Sequence, residues 1–178
     1  MKVLRLSFLA LMFPALAFAK APLVPAAPAP QPGFRTEFLA NLDEVQDKIV
    51  SLATATPADK FAWRPAPGVR SISEVYMHIA GGNYFLATFI GVKPPKMNGD
   101  IEKTVTKKAD VLAELKKSFE HLRNAAASAN DLDKPVKMLS NQTTNRGVLM
   151  TMLSHLHEHL GQSITYARMN GVVPPWSR

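Results

Sequence analysis

Cysteine is absent from this chain of 178 residues. Its absence excludes disulfides and lipid attachment at a lipobox cysteine. The sequence also has no glycine-rich phosphate loop and no internal repeat, so the classes of protein that depend on those features are not favoured. Long apolar runs are missing outside the N-terminal segment, and no strand-like alternation competes with the helical periodicity elsewhere.

Acidic residues are in the minority. The chain has 21 basic and 14 acidic residues and a formal net charge of +7. The basic residues are scattered, and no basic stripe with interleaved aromatic residues appears, which argues against nucleic-acid binding. A solvated surface accounts for the charge better than attraction to anionic lipid or cell wall.

The N-terminal segment has the pattern of an export signal. Lys2 and Arg5 precede an apolar stretch from Leu6 to Leu16 that is too short to span a membrane. A signal-peptidase site of the small-x-small type ends at Ala19. We therefore predict that residues 1–19 are a cleaved signal peptide and that the protein is periplasmic or secreted in a bacterium, without a stable membrane span after processing. A retained helical anchor is the alternative.

The rest of the chain divides into a linker and one domain. Residues 20–33 are mostly alanine and proline, a composition that favours extended conformations and cannot build a core. Residues 34–178 are enough for one domain.

Four segments of this domain carry apolar residues at spacings of three and four, which predicts helices. The predicted bounds are about 34–55, 71–90, 108–129 and 144–170. Ser71 and Glu74 match a capping box at the start of the second helix, and Gly171 matches the end of the fourth. We predict an all-α four-helix bundle. Two connections, of about 17 and 14 residues, are long enough to cover something or to be partly mobile.

Three histidines could form a metal site. On a helix, His155 and His159 are separated by ~40° at ~100° per residue, so two imidazoles on adjacent turns share a face. His78 lies midway along the second predicted helix, on the same side as Val75, Ile79 and Phe85, and should point inward. Three imidazoles from two facing helices would make a metal site with an open position. A core histidine with satisfied ring nitrogens is the alternative for His78.

The neighbouring polar residues are weaker candidates. His157 lies ~160° from both His155 and His159, so we interpret it as a surface residue, and His121 as structural or exposed. Gln162 could hydrogen-bond a ligand imidazole or a metal-bound water, or it could be an ordinary amide at a helix interface. Glu158 could support the site in the same way or be a surface charge.

Residues 155–159 also spell H-x-x-E-H, the pattern of one group of zinc peptidases. That group needs a further carboxylate ligand well downstream, and no Asp or Glu follows His159. We therefore do not favour a peptidase. Three glycines, Gly81, Gly82 and Gly161, could leave room for a substrate or a neighbouring backbone, although helix packing also explains them.

These motifs resemble those of the DinB/YfiT-like family of four-helix bundles. The matching pieces are residues 63–68 (W-R-P-A-P-G), 71–75 with His78, then His155, His159, Gly161 and Gln162, and finally 166–171 with the Pro174-Pro175-Trp176 tail. Each piece alone is weak, but together, in this order and spacing, they are fairly specific. The match covers about residues 34–178.

The resemblance implies an up-down-down-up bundle that holds a divalent metal ion, commonly nickel or zinc. Its three ligands would be His78, His155 and His159. The resemblance also implies frequent homodimers. Some relatives are thiol-dependent transferases or isomerases, and many have no known activity. Export would place this chain outside the compartment where low-molecular-weight thiols are most abundant.

Three functions are compatible with these patterns. The first is a metal-dependent hydrolase or thiol-dependent transferase of an unknown small molecule, with Glu158, Tyr84 and Asn83 as candidate helpers in proton transfer. The second is a non-catalytic periplasmic protein that binds a metal or a small ligand. The third is a bundle whose metal site is structural or vestigial.

Overall fold

The computed structural model describes residues 33–97 and 99–177. The predicted signal peptide and almost all of the predicted linker lie outside these residues. The described helices are α1 (Phe34–Ala55), α2 (Ile72–Ala87), α3 (Ile101–Thr104), α4 (Lys108–Ser128) and α5 (Asn145–Met169), and the strands are β1 (Pro135–Met138) and β2 (Asn141–Thr144). Short 3₁₀ turns occupy Ala58–Lys60, Thr88–Ile90 and Pro175–Ser177.

The four long helices confirm the predicted bundle. α2 packs chiefly against α4 and α5, and α1 packs against the same two helices. The apolar stripe that predicted α1 is buried between them, including Phe38, Leu42 and Ile49. Because α2 and α5 are neighbours, side chains on their facing sides can meet inside the bundle.

The start of α2 is fixed by the predicted capping box. The Ser71 hydroxyl accepts a hydrogen bond from the Glu74 amide at 3.3 Å, and the Glu74 carboxylate accepts one from the Ser71 amide at 2.7 Å. The buried Glu74 carboxylate also pairs with Arg64, at 3.1 Å, and Lys103, at 2.7 Å. The hydrogen bond from Lys103, then that from Ser71, lowers the pKa of Glu74 to about 2. The first turn of α2 is thereby tied both to the preceding loop and to α3.

The two long connections contain structure that the sequence pattern did not predict. Residues 91–107 include α3, whose first amides are capped by Asp100 and which packs against α2. The connection between α4 and α5 forms an antiparallel hairpin in which Pro135 pairs with Thr144. The expectation of no strands was therefore wrong here: each strand has only four residues, too few for a visible alternation. None of the described helices has the length and apolar character needed to cross a membrane.

Candidate metal centre

Three histidine side chains converge between α2 and α5. His78 comes from the middle of α2, and His155 and His159 come from adjacent turns of α5. One ring nitrogen from each lies within 4.8 Å of the other two. The ring centroids are separated by 5.2 Å for His78 and His155, 4.7 Å for His78 and His159, and 4.5 Å for His155 and His159. The structure thus brings together the three histidines that were predicted from the sequence to form one site.

Glu102 orients the imidazole of His78. Its Oε1 atom lies 2.7 Å from His78 Nδ1, and an ionised carboxylate can only accept, so Nδ1 carries the proton. The Nε2 atom of His78 is then left with its lone pair. A carboxylate behind a histidine is the common arrangement that fixes the tautomer and ring orientation of a metal ligand.

Gln162 orients His159 in the same way. The amide oxygen of Gln162 accepts a hydrogen bond from His159 Nδ1 at 2.8 Å, and its amide nitrogen donates to the Tyr166 hydroxyl at 3.2 Å. Tyr166 in turn packs edge-on against Trp63, with ring centroids 5.4 Å apart. The loop before α2 therefore supports His159 through two intermediate side chains. The sequence left two interpretations of Gln162, a hydrogen bond to an imidazole of the site or an ordinary amide at a helix interface. The structure shows the hydrogen bond to the imidazole of His159.

Sequence reasoning missed Glu102. This residue lies in α3, inside a connection that shows no helical periodicity, and it reaches the cluster because α3 packs on α2. Arg70 donates to the same carboxylate, with Nε 2.7 Å from Oε2. Burial acts to raise the pKa of Glu102, but the hydrogen bonds from Arg70 and His78 and their charges outweigh it, so the pKa is lowered. The carboxylate is therefore ionised at neutral pH, as an acceptor for His78 requires.

The third imidazole, His155, is positioned by packing. Its Nε2 atom lies 3.4 Å from His78 Nε2. Its buried Nδ1 atom has no hydrogen-bond partner among the described residues. The ring lies directly against Gly82, where an added Cβ would come within 3.1 Å of both ring nitrogens. The His155 ring can therefore occupy this position only because residue 82 is a glycine.

The other two glycines make no such contact. Among the described residues, an added Cβ at Gly81 would meet only Ile101 Cδ1, at 4.0 Å, and one at Gly161 would meet no atom within 4 Å. The expectation that Gly161 lets a neighbouring backbone approach is therefore wrong.

Two of the imidazoles, those of His155 and His159, are favoured in the neutral form that binds metals. Burial is the largest cause that lowers the pKa of His155, to about 4, and the neighbouring His159 and His78 lower it further. Burial also lowers the pKa of His159, although the hydrogen bond to Gln162 opposes it. At neutral pH both residues can therefore offer a nitrogen lone pair.

Two α5 residues lie outside the cluster. His157 is exposed, and its Nδ1 atom donates to the Leu153 carbonyl at 2.9 Å, which agrees with its interpretation as a surface residue. Glu158 is also exposed. It makes no hydrogen bond to the histidines in the described part of the chain, and it acts on His159 only through its charge.

Two candidate helpers on α2 face the wrong way. The Tyr84 hydroxyl donates to Glu114 at 2.8 Å, and the Asn83 amide donates to Ser118 at 3.1 Å. Both partners belong to α4. His121, also on α4, packs edge-on against the Tyr84 ring at 5.1 Å. These polar groups therefore belong to the α2–α4 interface and not to the histidine cluster.

A cavity of about 510 Å³ lies beside the cluster. His78, His155 and Glu102 contribute to its wall together with apolar side chains of α2 and of the connection that follows, among them Phe85. Phe85 was expected to be buried with Val75 and Ile79, but 51% of its surface is exposed, because the face of α2 that carries it opens into this cavity. The cavity gives a small molecule access to the cluster.

The fold and the site define a class of protein: a four-helix bundle in which α2 and α5 bring together three histidines that could hold a metal ion. A family model described as the DinB superfamily matches residues 41–163. The chain therefore belongs to the DinB superfamily, as its motifs predicted.

Solved structures share the fold. A DinB-like protein from Bacillus cereus ATCC 10987 has 20% sequence identity and a TM-score of 0.70, and the match covers 79% of this chain and 95% of that one. A DinB-like protein from Bacillus subtilis has 19% identity and a TM-score of 0.62, with 77% and 93% covered. Among curated proteins, no sequence matches this chain.

Proposed function

We propose that this protein binds one divalent metal ion through the Nε2 atoms of His78, His155 and His159, and that it acts on a small molecule at the remaining coordination position. One observation carries the proposal. Glu102 and Gln162 occupy the Nδ1 atoms of two histidines and leave their Nε2 atoms as the possible donors, and one ring nitrogen from each of the three histidines lies within 4.8 Å of the other two. Imidazoles whose outer nitrogens are hydrogen-bonded to a carboxylate or an amide are typical ligands of zinc.

The proposed activity is metal-dependent hydrolysis or thiol-dependent transfer. A divalent ion held by three imidazoles lowers the pKa of bound water toward ~7 or binds a thiolate. The chain supplies the orientation of the imidazoles, through Glu102 and Gln162, and a partly enclosed cavity for the substrate. Nickel and zinc are the proposed ions, since imidazole accepts both.

The second candidate is a protein that binds a metal or small ligand without turnover. The two carboxylates in the cavity wall favour it, because both already have partners: Glu102 accepts from His78 and Arg70, and Asp100 caps the first turn of α3. Neither is free to serve as a general base.

We also propose export to the periplasm or beyond, because residues 1–19 match a signal peptide. Cell fractionation followed by N-terminal sequencing tests it. A mature chain that begins at Lys20 in the periplasmic fraction is the expected result, and an unprocessed cytoplasmic chain contradicts it.

Metal analysis of the purified mature protein tests the central proposal. The wild type should contain about one nickel or zinc ion per chain, and His78→Ala and His155→Ala should contain almost none. His157→Ala is the matched control, since this histidine lies on the same helix but outside the cluster, and its metal content should equal that of the wild type. Full occupancy in His78→Ala would overturn a joint three-histidine site.

Binding of an external ligand at the metal distinguishes the proposed enzyme from a protein that only holds the metal. Cobalt-substituted protein titrated with a simple thiol, 2-mercaptoethanol, should develop a thiolate-to-cobalt charge-transfer band. A spectrum that does not change with thiol, azide or hydroxamate indicates a saturated site and counts against catalysis.

A further inference from the structure

The wall of the cavity beside the histidine cluster is divided in character. Its polar groups are Asp100, Glu102, His155 and His78, and His78 contacts both His155 and Glu102. The rest is apolar and comes from five larger side chains: Met77, Phe85, Leu86, Met97 and Ile101. We propose that the ligand of this metal centre carries an apolar group, an alkyl chain or an aromatic ring, which lies in this cavity while a polar head group reaches the metal. This inference rests on the proposed function and names its substrate class.

Two of these side chains are unusually exposed for their type. Phe85 is 51% exposed and Met97 is 41% exposed, whereas Met77 and Leu86 are buried behind them. Phe85 is also held edge-on against Phe89, with ring centroids 5.2 Å apart. An exposed apolar surface that lines a cavity of several hundred Å³ is typical of a site that binds an apolar part of a small molecule.

Gly81 keeps this cavity open. It lies in the wall, one turn after His78, and an added Cβ would meet only Ile101 Cδ1 at 4.0 Å. Packing therefore does not require a glycine here, in contrast to Gly82. A larger side chain at position 81 would project into the space that we assign to the ligand.

An anionic ligand is less well supported. A second, more polar depression shares Glu102 and is lined by Arg70, Lys103 and Gln162. Both cations in its wall already have carboxylate partners, because Arg70 pairs with Glu102 at 2.7 Å and Lys103 pairs with Glu74 at 2.7 Å. Binding an anion there would compete with contacts that hold α3 on α2.

A homologous series of metal-binding ligands tests the proposal. Acetohydroxamate, butanohydroxamate and hexanohydroxamate share one head group and differ in chain length. Titration calorimetry on the zinc-loaded mature protein should show an affinity that rises about fourfold for each methylene that enters the cavity, which is about two orders of magnitude between the shortest and the longest. Affinities equal within about twofold across the series would overturn the proposal.

Two leucine substitutions locate the effect. Gly81→Leu should bring the ratio of hexanohydroxamate to acetohydroxamate affinities close to one. Gly161→Leu is the matched control, because Gly161 is also a helical glycine with open space but is absent from the cavity wall, and it should keep the wild-type ratio. The ratio is insensitive to a general weakening of the metal site. An equal drop in both variants would overturn the placement.

Milder substitutions keep the test decisive if Gly81→Leu does not fold. Met97→Ser should reduce the chain-length ratio, and Met169→Ser, at an exposed methionine remote from the cavity wall, should not. Equal ratios in these two variants would argue against the assigned cavity.

A metal-independent arm separates this inference from the proposed function. The neutral dye N-phenyl-1-naphthylamine should become fluorescent with metal-free wild type and Gly161→Leu, and much less so with Gly81→Leu. If the protein holds no metal and hydroxamates do not bind, this result still supports the cavity while the metal proposal fails. Equal fluorescence in all three proteins, or none, would overturn the apolar site whatever the metal does.

Discussion

The two sides of α2 differ in how their polar groups are paired. Toward α4, two polar side chains of α2 form donor–acceptor pairs: Tyr84 donates to Glu114, and Asn83 donates to Ser118. Toward α5, three imidazoles face one another with Nδ1 of two already used. Their Nε2 atoms offer mainly acceptors to each other. On the first side these polar groups of α2 are satisfied by hydrogen bonds to α4, whereas on the second side the imidazole lone pairs need a proton or a cation.

The comparison of these two sides indicates that burial of a histidine alone does not identify a metal site. His121 is on the α4 side, its buried Nε2 atom has no hydrogen-bond partner within the described part of the chain, and burial lowers its pKa. It stands next to a tyrosine and not next to further imidazoles. Convergence of several lone pairs, fixed from behind by acceptors, is what separates the α5 side from the α4 side.

The largest effect expected is the loss of metal from His78→Ala compared with His121→Ala. His78→Ala removes one of the three proposed ligands, so we expect metal affinity to fall by more than about 100-fold, beyond the cost of losing an outer partner. His121→Ala should leave affinity unchanged. Competition titration with a chromophoric chelator measures both. A similar loss in both variants would remove the distinction between the two sides of α2.

Gly82→Ala should be the next most damaging change to the α5 side. The new Cβ would displace the His155 ring, and we expect metal affinity to fall by roughly 10–100-fold, as when a ligand loses its orientation. Gly81→Ala is the matched control, since its Cβ enters open space, and its affinity should match that of the wild type. Alanine favours helix over glycine by about 1 kcal/mol, so the metal-free form of Gly81→Ala should not unfold more easily. Equal affinities for both variants would show that His155 is free to move.

Sequence alone predicted the parts of this protein that depend on helical periodicity. The apolar stripe from Phe38 to Leu52 fixed α1, and a spacing of four residues placed His155 and His159 together. The same geometry argues against the two proposed helpers. At ~100° per residue, Asn83 and Tyr84 lie ~140° and ~120° from His78, so both belong on another face of α2.

Helical periodicity could not predict the position of Glu102 or the hairpin. Nothing in residues 91–107 indicates where the chain turns back onto α2, because α3 is a single turn whose position depends on contacts such as the pair between Lys103 and Glu74. The strands β1 and β2 pair over four positions and include Asn141 and Gln142, residues that do not mark a strand. α3 therefore depends on tertiary contacts with a distant segment, whereas the hairpin is a local pairing of strands too short and too polar to show alternation.

Glu102→Gln should weaken metal binding less than the changes at His78 and Gly82. Glutamine keeps an oxygen for His78 Nδ1 but loses the charge that favours a protonated Nδ1 and that pairs with Arg70. We expect metal affinity to fall by about tenfold, near the lower end for an outer partner of a ligand histidine. Glu114→Gln, the corresponding carboxylate on the α4 side, should leave affinity unchanged. An unchanged affinity in Glu102→Gln would mean that packing alone orients His78.

The smallest effect is the acid sensitivity of the first turn of α2. In the folded protein the pKa of Glu74 is lowered to about 2, so its ionised form contributes stability that is present above about pH 4.5 and is lost as the pH falls toward 2. Because Lys103 and Arg64 are largely exposed, we expect only roughly 1–2 kcal/mol from this group. Urea unfolding of the metal-free protein should therefore show Glu74→Gln destabilised by that amount at pH 7, with the difference from wild type shrinking as the pH is lowered to 3. The exposed Glu120→Gln should show no such trend, and a difference for Glu74→Gln that stays constant with pH would mean that the lost contribution is packing rather than charge.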